Sequence, residues 1–504
     1  MILKMFKRWQ KPAIMSVVKG KKQFKFLSAP GGCVTVLSVM ILALGCKPGQ
    51  QKQKAENKNH RDSVVFPIRI SDNHRYFVDQ KGTAFFWLGD TGWLLLSQLN
   101  QQQVTAYLED RRRKGFNVIQ VMVIHDLAEK NVFGKKALIN NDLSKPDTMR
   151  AYAGTSDTLN YWQVLDSLVI KAGKNNMLVA LVPVWGSVVK SGKVSVAQAT
   201  AFARFLAKRY HGAKNIVWLN GGDIKGSDST DIWQAIGQTI KAANPTQLMS
   251  FHPRGRTQSS TWFQSASWLD FNCFQSGHRR YDQDTEPGSL QYGEDNYKYV
   301  LADLNKQPLK PTLDAEPSYE GIPEGLHDSL QPRWDAAAIR RYAYWSVFSG
   351  AAGFTYGANA VMQFYDPSKG VAGAYGVTKS WQQGLQDTAA GQLKYLKQLM
   401  LGKPYLTRVP DTVSVMDQGK KYDYVAASKG QDYALFYTPN GRDFKVNMHK
   451  LDLDKSPVVV SWFDPRTGKV SGKTQLAQTA LYNARPPGEK KHGNDWVLVI
   501  EKAG

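Results

Sequence analysis

The chain has few cysteines: Cys33, Cys46 and Cys273 are the only three among its 504 residues. They form no even, regularly spaced set, so the fold does not rest on a disulfide framework. Several enzyme motifs are also missing. Neither G-x-G-x-x-G nor G-x-x-x-x-G-K-[ST] occurs, and neither a G-x-S-x-G elbow nor an H-E-x-x-H pair is present. The nine histidines lack the spacing of metal ligands, and we predict no metal and no cofactor.

Acidic residues are few relative to basic ones. The sequence has 42 Asp and Glu against 65 Lys and Arg, which gives a formal net charge of +23. Eight of the basic residues and no acidic residue lie within the first 45 positions, so part of the excess belongs to a targeting segment. The remainder suits either an acidic polymer or an ordinary solvated surface. No basic stripe with interleaved aromatic residues is present, and we predict no nucleic-acid partner.

The amino terminus is typical of an export signal. Its basic residues are followed by the apolar run Val34 to Leu44, which has the length of a signal-peptide core rather than of a membrane span. The run ends at Leu42-Ala43-Leu44-Gly45-Cys46, which resembles a bacterial lipobox. We therefore predict a lipoprotein-type signal peptide over residues 1–45, with Cys46 as the lipidated residue. Cleavage by an ordinary signal peptidase and an uncleaved anchor helix are the alternatives.

Residues 46–62 are rich in Gln, Lys and Asn, a composition that predicts a flexible tether. Together with the signal peptide, the tether predicts an exported protein, either an outer-membrane lipoprotein or a periplasmic one. A lipid anchor would make the membrane a partner. The basic character of the tract after Cys46 favours the periplasmic face.

Between residues 63 and 402, apolar runs alternate with stretches of helical period. After a short β-rich lead-in, the apolar runs predict eight strands: Phe85 to Leu88, Asn117 to Ile124, Met177 to Trp185, Asn215 to Leu219, Gln247 to Phe251, Leu269 to Gln275, Pro311 to Ala315 and Phe354 to Gly357. The helical stretches between them are Gln102 to Lys114, Tyr161 to Lys174, Ser195 to Tyr210, Asp231 to Ala243, Tyr297 to Leu304 and Ala336 to Ser349. This alternation predicts an α/β fold, a (β/α)8 TIM barrel, rather than a doubly wound open sheet.

Residues 403–504 have a different pattern. Short alternating runs such as Tyr433-Ala-Leu-Phe-Tyr and Trp496-Val-Leu-Val-Ile are separated by turn signals such as Asp464-Pro-Arg-Thr-Gly, and helical periodicity is absent. This pattern predicts a small all-β sandwich domain, which we expect to pack on the barrel.

The active site of a (β/α)8 barrel lies at the carboxyl ends of its strands. The fourth predicted strand leads into Asn220-Gly-Gly-Asp223, and the seventh leads into Glu316-Pro-Ser-Tyr319. A carboxylate at each of two rims allows one to protonate a leaving oxygen while the other attacks the anomeric carbon or activates water. Asp223 and Glu316 are therefore the predicted catalytic residues of a glycosidase. The alternatives are a helix-capping role for Asp223 and an ion pair with an arginine for Glu316.

Several spaced blocks closely resemble the apiosidase-like glycoside hydrolases of family 140: Phe86-Trp-Leu-Gly-Asp90-Thr-Gly-Trp93, Trp218-Leu-Asn-Gly-Gly-Asp223, Asp314-Ala-Glu-Pro317 and Gly353-Phe-Thr-Tyr-Gly-Ala-Asn359. The resemblance covers roughly residues 63 to 402. It implies a (β/α)8 barrel with Asp223 as general acid/base and Glu316 as nucleophile, acting on apiose linked to galacturonate in the pectin rhamnogalacturonan II. The block Trp462-Phe-Asp-Pro-Arg-Thr-Gly468 resembles a β-sandwich named for collagen binding.

Other polar and aromatic residues follow predicted strands, where a polysaccharide or oligosaccharide substrate would need stacking platforms and hydroxyl partners. The predicted substrate-binding residues are Asp90, Trp93, His125, Trp185, Asn220, His252, Tyr319, Tyr356 and Asn359. Asp90 could equally cap the next helix. Asp314 lies two residues before Glu316 on the same strand face and is expected to support it. Arg279 and Arg280 begin a long loop and could hold a uronate carboxylate.

We predict a retaining glycosidase, since the fourth and seventh rims of such barrels usually place two carboxyls close enough for direct attack. One alternative is a glycan-binding lipoprotein that kept the barrel without catalysis. The other treats the β-sandwich as an adhesin module for a host protein. Substrate binding without turnover would favour the first, and collagen affinity of the carboxy-terminal module would favour the second.

Overall fold

The computed structural model describes residues 63–149, 159–285, 290–451, 453, 457–477 and 480–503. The predicted signal peptide over residues 1–45, Cys46 and the tether over residues 46–62 lie outside these ranges. Within the described part of the chain, every helix is too short or too polar to span a bilayer.

The predicted barrel is confirmed. Its sheet contains nine strands among the described residues, and eight of them are parallel. Every residue but one in these eight strands is buried, which explains why most of their residues are apolar. The eight strands are β4 (Trp87–Thr91), β5 (Val118–Ile124), β6 (Leu178–Val184), β7 (Ile216–Ile224), β8 (Met249–Pro253), β10 (Asn272–Gln275), β11 (Thr312–Asp314) and β12 (Gly353–Tyr356).

Short elements complete the barrel. A three-stranded antiparallel lead-in precedes it, and a two-residue strand pairs antiparallel with β10. These strands are β1 (Arg69–Ile70), β2 (Phe77–Val78), β3 (Ala84–Phe85) and β9 (Thr257–Gln258). The barrel closes beside β8, where the backbone N–H of Asp270 donates to the carbonyl of Met249 over 2.8 Å.

Helices surround the sheet: α1 (Leu95–Gln98), α2 (Gln101–Arg113), α3 (Tyr161–Lys174), α4 (Gly186–Lys190), α5 (Val196–Arg209), α6 (Thr230–Ala243), α7 (Ser260–Phe263), α8 (Tyr297–Leu304), α9 (Ala336–Phe348), α10 (Asn359–Met362), α11 (Trp381–Gly384) and α12 (Thr388–Leu401). Three of the long helices begin with the same signal, an Asn or Ser cap three residues before a Gln that bonds back to it. These caps fix the starts of α2, α3 and α5 close to where the sequence predicts them.

The carboxy-terminal module is the predicted all-β sandwich. Its strands are β13 (Val409–Pro410), β14 (Ala426–Lys429), β15 (Tyr433–Thr438), β16 (Phe444–Asn447), β17 (Val458–Phe463), β18 (Val470–Leu476), β19 (Leu481–Ala484) and β20 (Trp496–Lys502). A six-stranded sheet in the order β13-β14-β15-β20-β17-β18 and the pair β16-β19 are wholly antiparallel.

The module packs against helix α9 of the barrel. Arg340 of this helix forms two bonds of 2.9 and 2.6 Å with the carboxylate of Asp495, and both side chains are buried. Next to this ion pair, the rings of Tyr344 and Tyr437 stack with their centroids 4.7 Å apart. A buried bidentate ion pair and ring stacking make this a specific interface rather than a loose contact.

Candidate active site

Asp223 lies near the end of β7, where the strand departs from regular pairing. Gly221, Gly222 and Asp223 all have positive φ, and the pairing with β8 shifts register between Gly221 and Ile224. Gly222 has φ of +108°, and a Cβ on it would lie 2.5 Å from the ring of Trp185. Only glycine fits this close approach, so the Gly-Gly pair allows the chain to turn and present Asp223 at the rim.

Glu316 follows β11 and is held from two sides. Its carbonyl accepts a bond of 3.1 Å from the backbone N–H of Gly277. Its carboxylate oxygens lie 3.1 Å from Nε2 of His278 and 3.3 Å from Nε2 of His252. The side chain is almost wholly buried, so these imidazoles replace much of the water that would otherwise solvate the carboxylate.

His252 links the two predicted catalytic residues. The backbone N–H of Asp223 points at Nδ1 of His252 over 3.4 Å, so Nδ1 accepts and the ring proton resides on Nε2. Nε2 faces Glu316, and one imidazole therefore contacts Asp223 through its backbone and Glu316 through its carboxylate. The structure thus places Asp223 and Glu316 around the same histidine, at the edge of the barrel where the parallel strands end.

The two carboxyl groups have pKa values shifted in opposite directions. Burial raises the pKa of Glu316, but the bonds from His252 and His278 outweigh burial and lower it to about 2. Burial raises the pKa of Asp223 above its usual value, and the negative charge of Glu316 raises it further. One carboxyl group with a lowered pKa near another with a raised pKa is the arrangement that separates a nucleophile from a general acid.

Aromatic side chains surround the histidines. The Trp93 ring lies 5.5 Å from the Trp185 ring and 5.4 Å from the His252 ring. Its Nε1 donates to the hydroxyl of Tyr319 over 2.9 Å, and the Tyr319 ring meets His278 edge to face at 4.7 Å. Trp93, Trp185, His252 and Tyr319 are therefore brought together next to Glu316. Within the described ranges, no group of three or more His, Cys, Asp or Glu side chains is arranged to hold a metal ion.

Comparison with known proteins shows the family of the chain. The sequence profile described as "Apiosidase-like, catalytic domain" matches residues 71–407. A solved structure described as a glycoside hydrolase is 39% identical, with 87% of this chain and 99% of that chain covered and a TM-score of 0.82. The chain belongs to the apiosidase-like family. It is a glycoside hydrolase.

Further relatives extend this assignment. The crystal structure of a glycoside hydrolase family 5 protein from Bacteroides vulgatus ATCC 8482 is 36% identical, with 87% of this chain and 95% of that chain covered and a TM-score of 0.82. Beyond the apiosidase-like domain, residues 409–501 match the profile described as "Putative collagen-binding domain of a collagenase". No protein with a curated description matches the chain.

Asp90 of the apiosidase-like domain differs from its predicted role. Its side chain has no exposed surface and accepts bonds of 2.6 Å from both Arg111 and the hydroxyl of Tyr107, on helix α2. A carboxylate enclosed in this way does not face a sugar. We therefore correct the prediction and assign Asp90 to the contact that fastens α2 to strand β4.

Asp90→Asn is expected to lower the free energy of unfolding by about 3 kcal/mol, because the buried charge of Arg111 would lose its closest partner and keep only Asp110, 3.2 Å away. Denaturant unfolding of the wild type and the variant measures the change. Asp72→Asn is a matched control, since Asp72 is 97% exposed in its ion pair with Arg69 and is expected to cost less than about 1 kcal/mol. Similar losses from both variants would contradict the assignment.

Three other predicted ligands of the apiosidase-like domain also bond to the protein itself. Asn220 donates to the carbonyl of Trp233 over 2.8 Å, and the hydroxyl of Tyr356 donates to Glu320 over 2.7 Å. Asn359 donates to the carbonyl of Tyr375 over 2.9 Å. All three side chains are buried and held by these bonds, and their sugar-binding roles stay predictions. The side chain of His125 is 20% exposed, with Nδ1 3.6 Å from a carboxylate oxygen of Glu129.

Sequence reasoning misses two residues of the apiosidase-like site. It does not name His278 as a site residue, although this residue contacts Glu316 directly. Tyr375 is half-buried with φ of +53°, and the charges of Asp223 and Glu316 add to burial in raising the pKa of its hydroxyl. The sequence could have indicated His278 by its position three residues after the end of β10, at the carboxyl end of a barrel strand. No sequence feature indicates Tyr375, because its loop has no regular pattern.

The arginines of the long loop are engaged within the protein. Arg280 forms two bonds of 3.1 Å with Asp282 and one of 2.6 Å with Gln331. Arg279 donates to the carbonyl of Gln283 over 3.3 Å. The predicted uronate contact would require these bonds to be exchanged for bonds to substrate.

Proposed function

We propose that the chain is a retaining glycosidase that acts on pectic polysaccharide and releases apiose-linked side chains of rhamnogalacturonan II. Asp223 is the general acid/base and Glu316 the nucleophile. The observation that carries the mechanism is that Nε2 of His278 and Nε2 of His252 lie 3.1 and 3.3 Å from the carboxylate of Glu316, with Asp223 next to His252. The substrate class follows from the apiosidase-like family.

In the first step of the proposed reaction, the Glu316 carboxylate attacks the anomeric carbon while Asp223 donates its proton to the glycosidic oxygen. The bond to the leaving group breaks, and a covalent glycosyl-enzyme ester forms. In the second step, Asp223 takes a proton from water, whose oxygen displaces Glu316. Asp223 regains its proton and Glu316 its charge.

The histidines favour this division of roles. Their N–H groups stabilise the charge of Glu316 and fix its carboxylate in one orientation, which lowers the reorganisation needed for attack. Trp93, Trp185 and Tyr319 lie next to the histidines and are the proposed stacking partners of the sugar. His125 is kept in the proposal as a further substrate-binding residue.

Product release from a panel of pectic oligosaccharides, including apiose-galacturonate conjugates, tests this function. Release of apiose is expected, and the fresh product should keep the anomeric configuration of the substrate when monitored by NMR. Inverted configuration would reject Glu316 as nucleophile. Binding measured by calorimetry without turnover of any substrate would favour a glycan-binding protein instead.

The proposal also covers localisation: residues 1–45 direct export, and Cys46 is lipidated. Radiolabelled palmitate should enter the wild-type protein and be absent from Cys46→Ala. Equal labelling of both proteins would exclude Cys46 as the acylated residue.

A further inference from the structure

The segment that carries His278 joins β10 to α8, and its two described parts, residues 278–285 and 290–297, are called here the His278 loop. At one end His278 contacts Glu316. At the other end Asn296 donates to Oδ2 of Asp314 over 3.1 Å, on the strand that leads to Glu316. The loop therefore contacts the region of the nucleophile at both of its ends.

The carboxy-terminal module holds this loop through Tyr422. The hydroxyl of Tyr422 donates to one oxygen of Glu294 over 2.7 Å, and Arg341 of helix α9 donates to the other over 2.5 Å. The Arg341 guanidinium also lies 4.5 Å from the centroid of the Tyr422 ring. Glu294 has no exposed surface, so its charge depends on these two partners.

Further contacts join the module to both described parts of the loop. The ring of Tyr281 lies 5.6 Å from that of Tyr422, and its hydroxyl donates to Asp295 over 2.5 Å. Tyr424 stacks on Tyr297 with centroids 3.8 Å apart and planes 3° from parallel. The module thus contacts the loop at several points.

Packing within the His278 loop links the residues held by the module to His278. Gly293 has φ of +60°, and a Cβ on it would lie 2.3 Å from the Tyr281 ring. Its backbone N–H donates to Asp284 over 2.6 Å, and Asp284 lies 3.1 Å from Nε of Arg256. Because the early and late parts of the loop are packed on each other, fixing Glu294 and Tyr281 also limits where His278 can lie.

We propose that Tyr422 is a positioning residue for the catalytic pair, acting through the His278 loop to hold His278 against Glu316. This inference rests on the proposed role of Glu316 as nucleophile. In this role the carboxy-terminal module needs no ligand of its own. From outside the barrel, it restrains the His278 loop, which forms one side of the active site.

Tyr422→Ala in the full chain tests the proposal with a readout that needs no substrate. The carboxyl ¹³C signal of Glu316, assigned by its loss in Glu316→Gln, is followed against pH. In the wild type it should stay constant between about pH 4 and pH 7, because the group is already ionised. In Tyr422→Ala it should titrate within that window, and kcat/KM should fall by up to about 100-fold.

Two variants keep the test specific. Tyr422→Phe retains the ring and loses only the bond to Glu294, so a smaller shift is expected. Tyr482→Ala removes a tyrosine that packs on the core of the module itself, and it should leave the Glu316 signal as in the wild type. An unchanged Glu316 titration in folded Tyr422→Ala, or an equal shift in Tyr482→Ala, would overturn the positioning role. Absence of turnover in the wild type would reject the proposed function and leave this carboxyl measurement valid.

Discussion

Glu316→Gln is expected to lower kcat/KM by about 10⁴-fold or more, and Asp223→Asn by about 10²- to 10⁴-fold on a natural glycoside. The side-chain amide introduced by the first variant is a poor nucleophile, so the covalent step is lost whatever the substrate. The amide introduced by the second variant cannot supply the proton that the departing sugar oxygen needs. Steady-state kinetics with a pectic oligosaccharide that the wild type cleaves would measure both losses.

The leaving group separates the two roles. An aryl glycoside whose phenol leaves without protonation should restore much of the first-step rate in Asp223→Asn and little in Glu316→Gln. Asp231→Asn and Glu109→Gln make the same chemical changes on exposed positions of α6 and α2, and neither should alter turnover. If Glu316→Gln kept more than about a tenth of the wild-type activity, Glu316 would not be the nucleophile.

The sequence predicts the barrel well because its signals are local. Helix α3 is predicted with its observed bounds, since Asn160 and Gln163 form a capping box before an amphipathic stretch. Strand β5 is apolar at every position but Gln120, because both of its faces are buried. The strands of the antiparallel module can also be predicted from the sequence, since alternating apolar and polar residues and turn residues mark them. Such features depend on residues close together in the chain.

The site is predicted less completely because it depends on which way each rim residue points. Asp90 and Asn220 both belong to strands that reach the rim, yet their side chains bond to the surrounding helices. The sequence does contain one indication that Asp90 forms an ion pair within the protein. The buried stripe of α2 includes Arg111, and an arginine on such a stripe requires a buried acid. The contact between His278 and Glu316 spans 38 residues and has no local signature.

His278→Asn is expected to narrow the pH profile of kcat/KM from the acidic side only. The nucleophile acts as a carboxylate, so activity falls at low pH as Glu316 takes up a proton. The bonds from His252 and His278 hold the pKa of Glu316 at about 2 against the effect of burial. Removing one bond leaves burial less opposed, and the acidic limb should move towards the usual carboxyl value of 4.5 or beyond it.

The basic limb provides an internal control for this variant. It is set by loss of the proton from Asp223, whose raised pKa depends on burial and on the charge of Glu316, and Glu316 remains ionised in that pH range. His449→Asn, on an exposed position of the module, should leave both limbs unchanged. Movement of the basic limb alone would mean that His278 acts on the acid/base rather than on the nucleophile. An unchanged acidic limb would mean that His252 by itself suffices to keep Glu316 ionised.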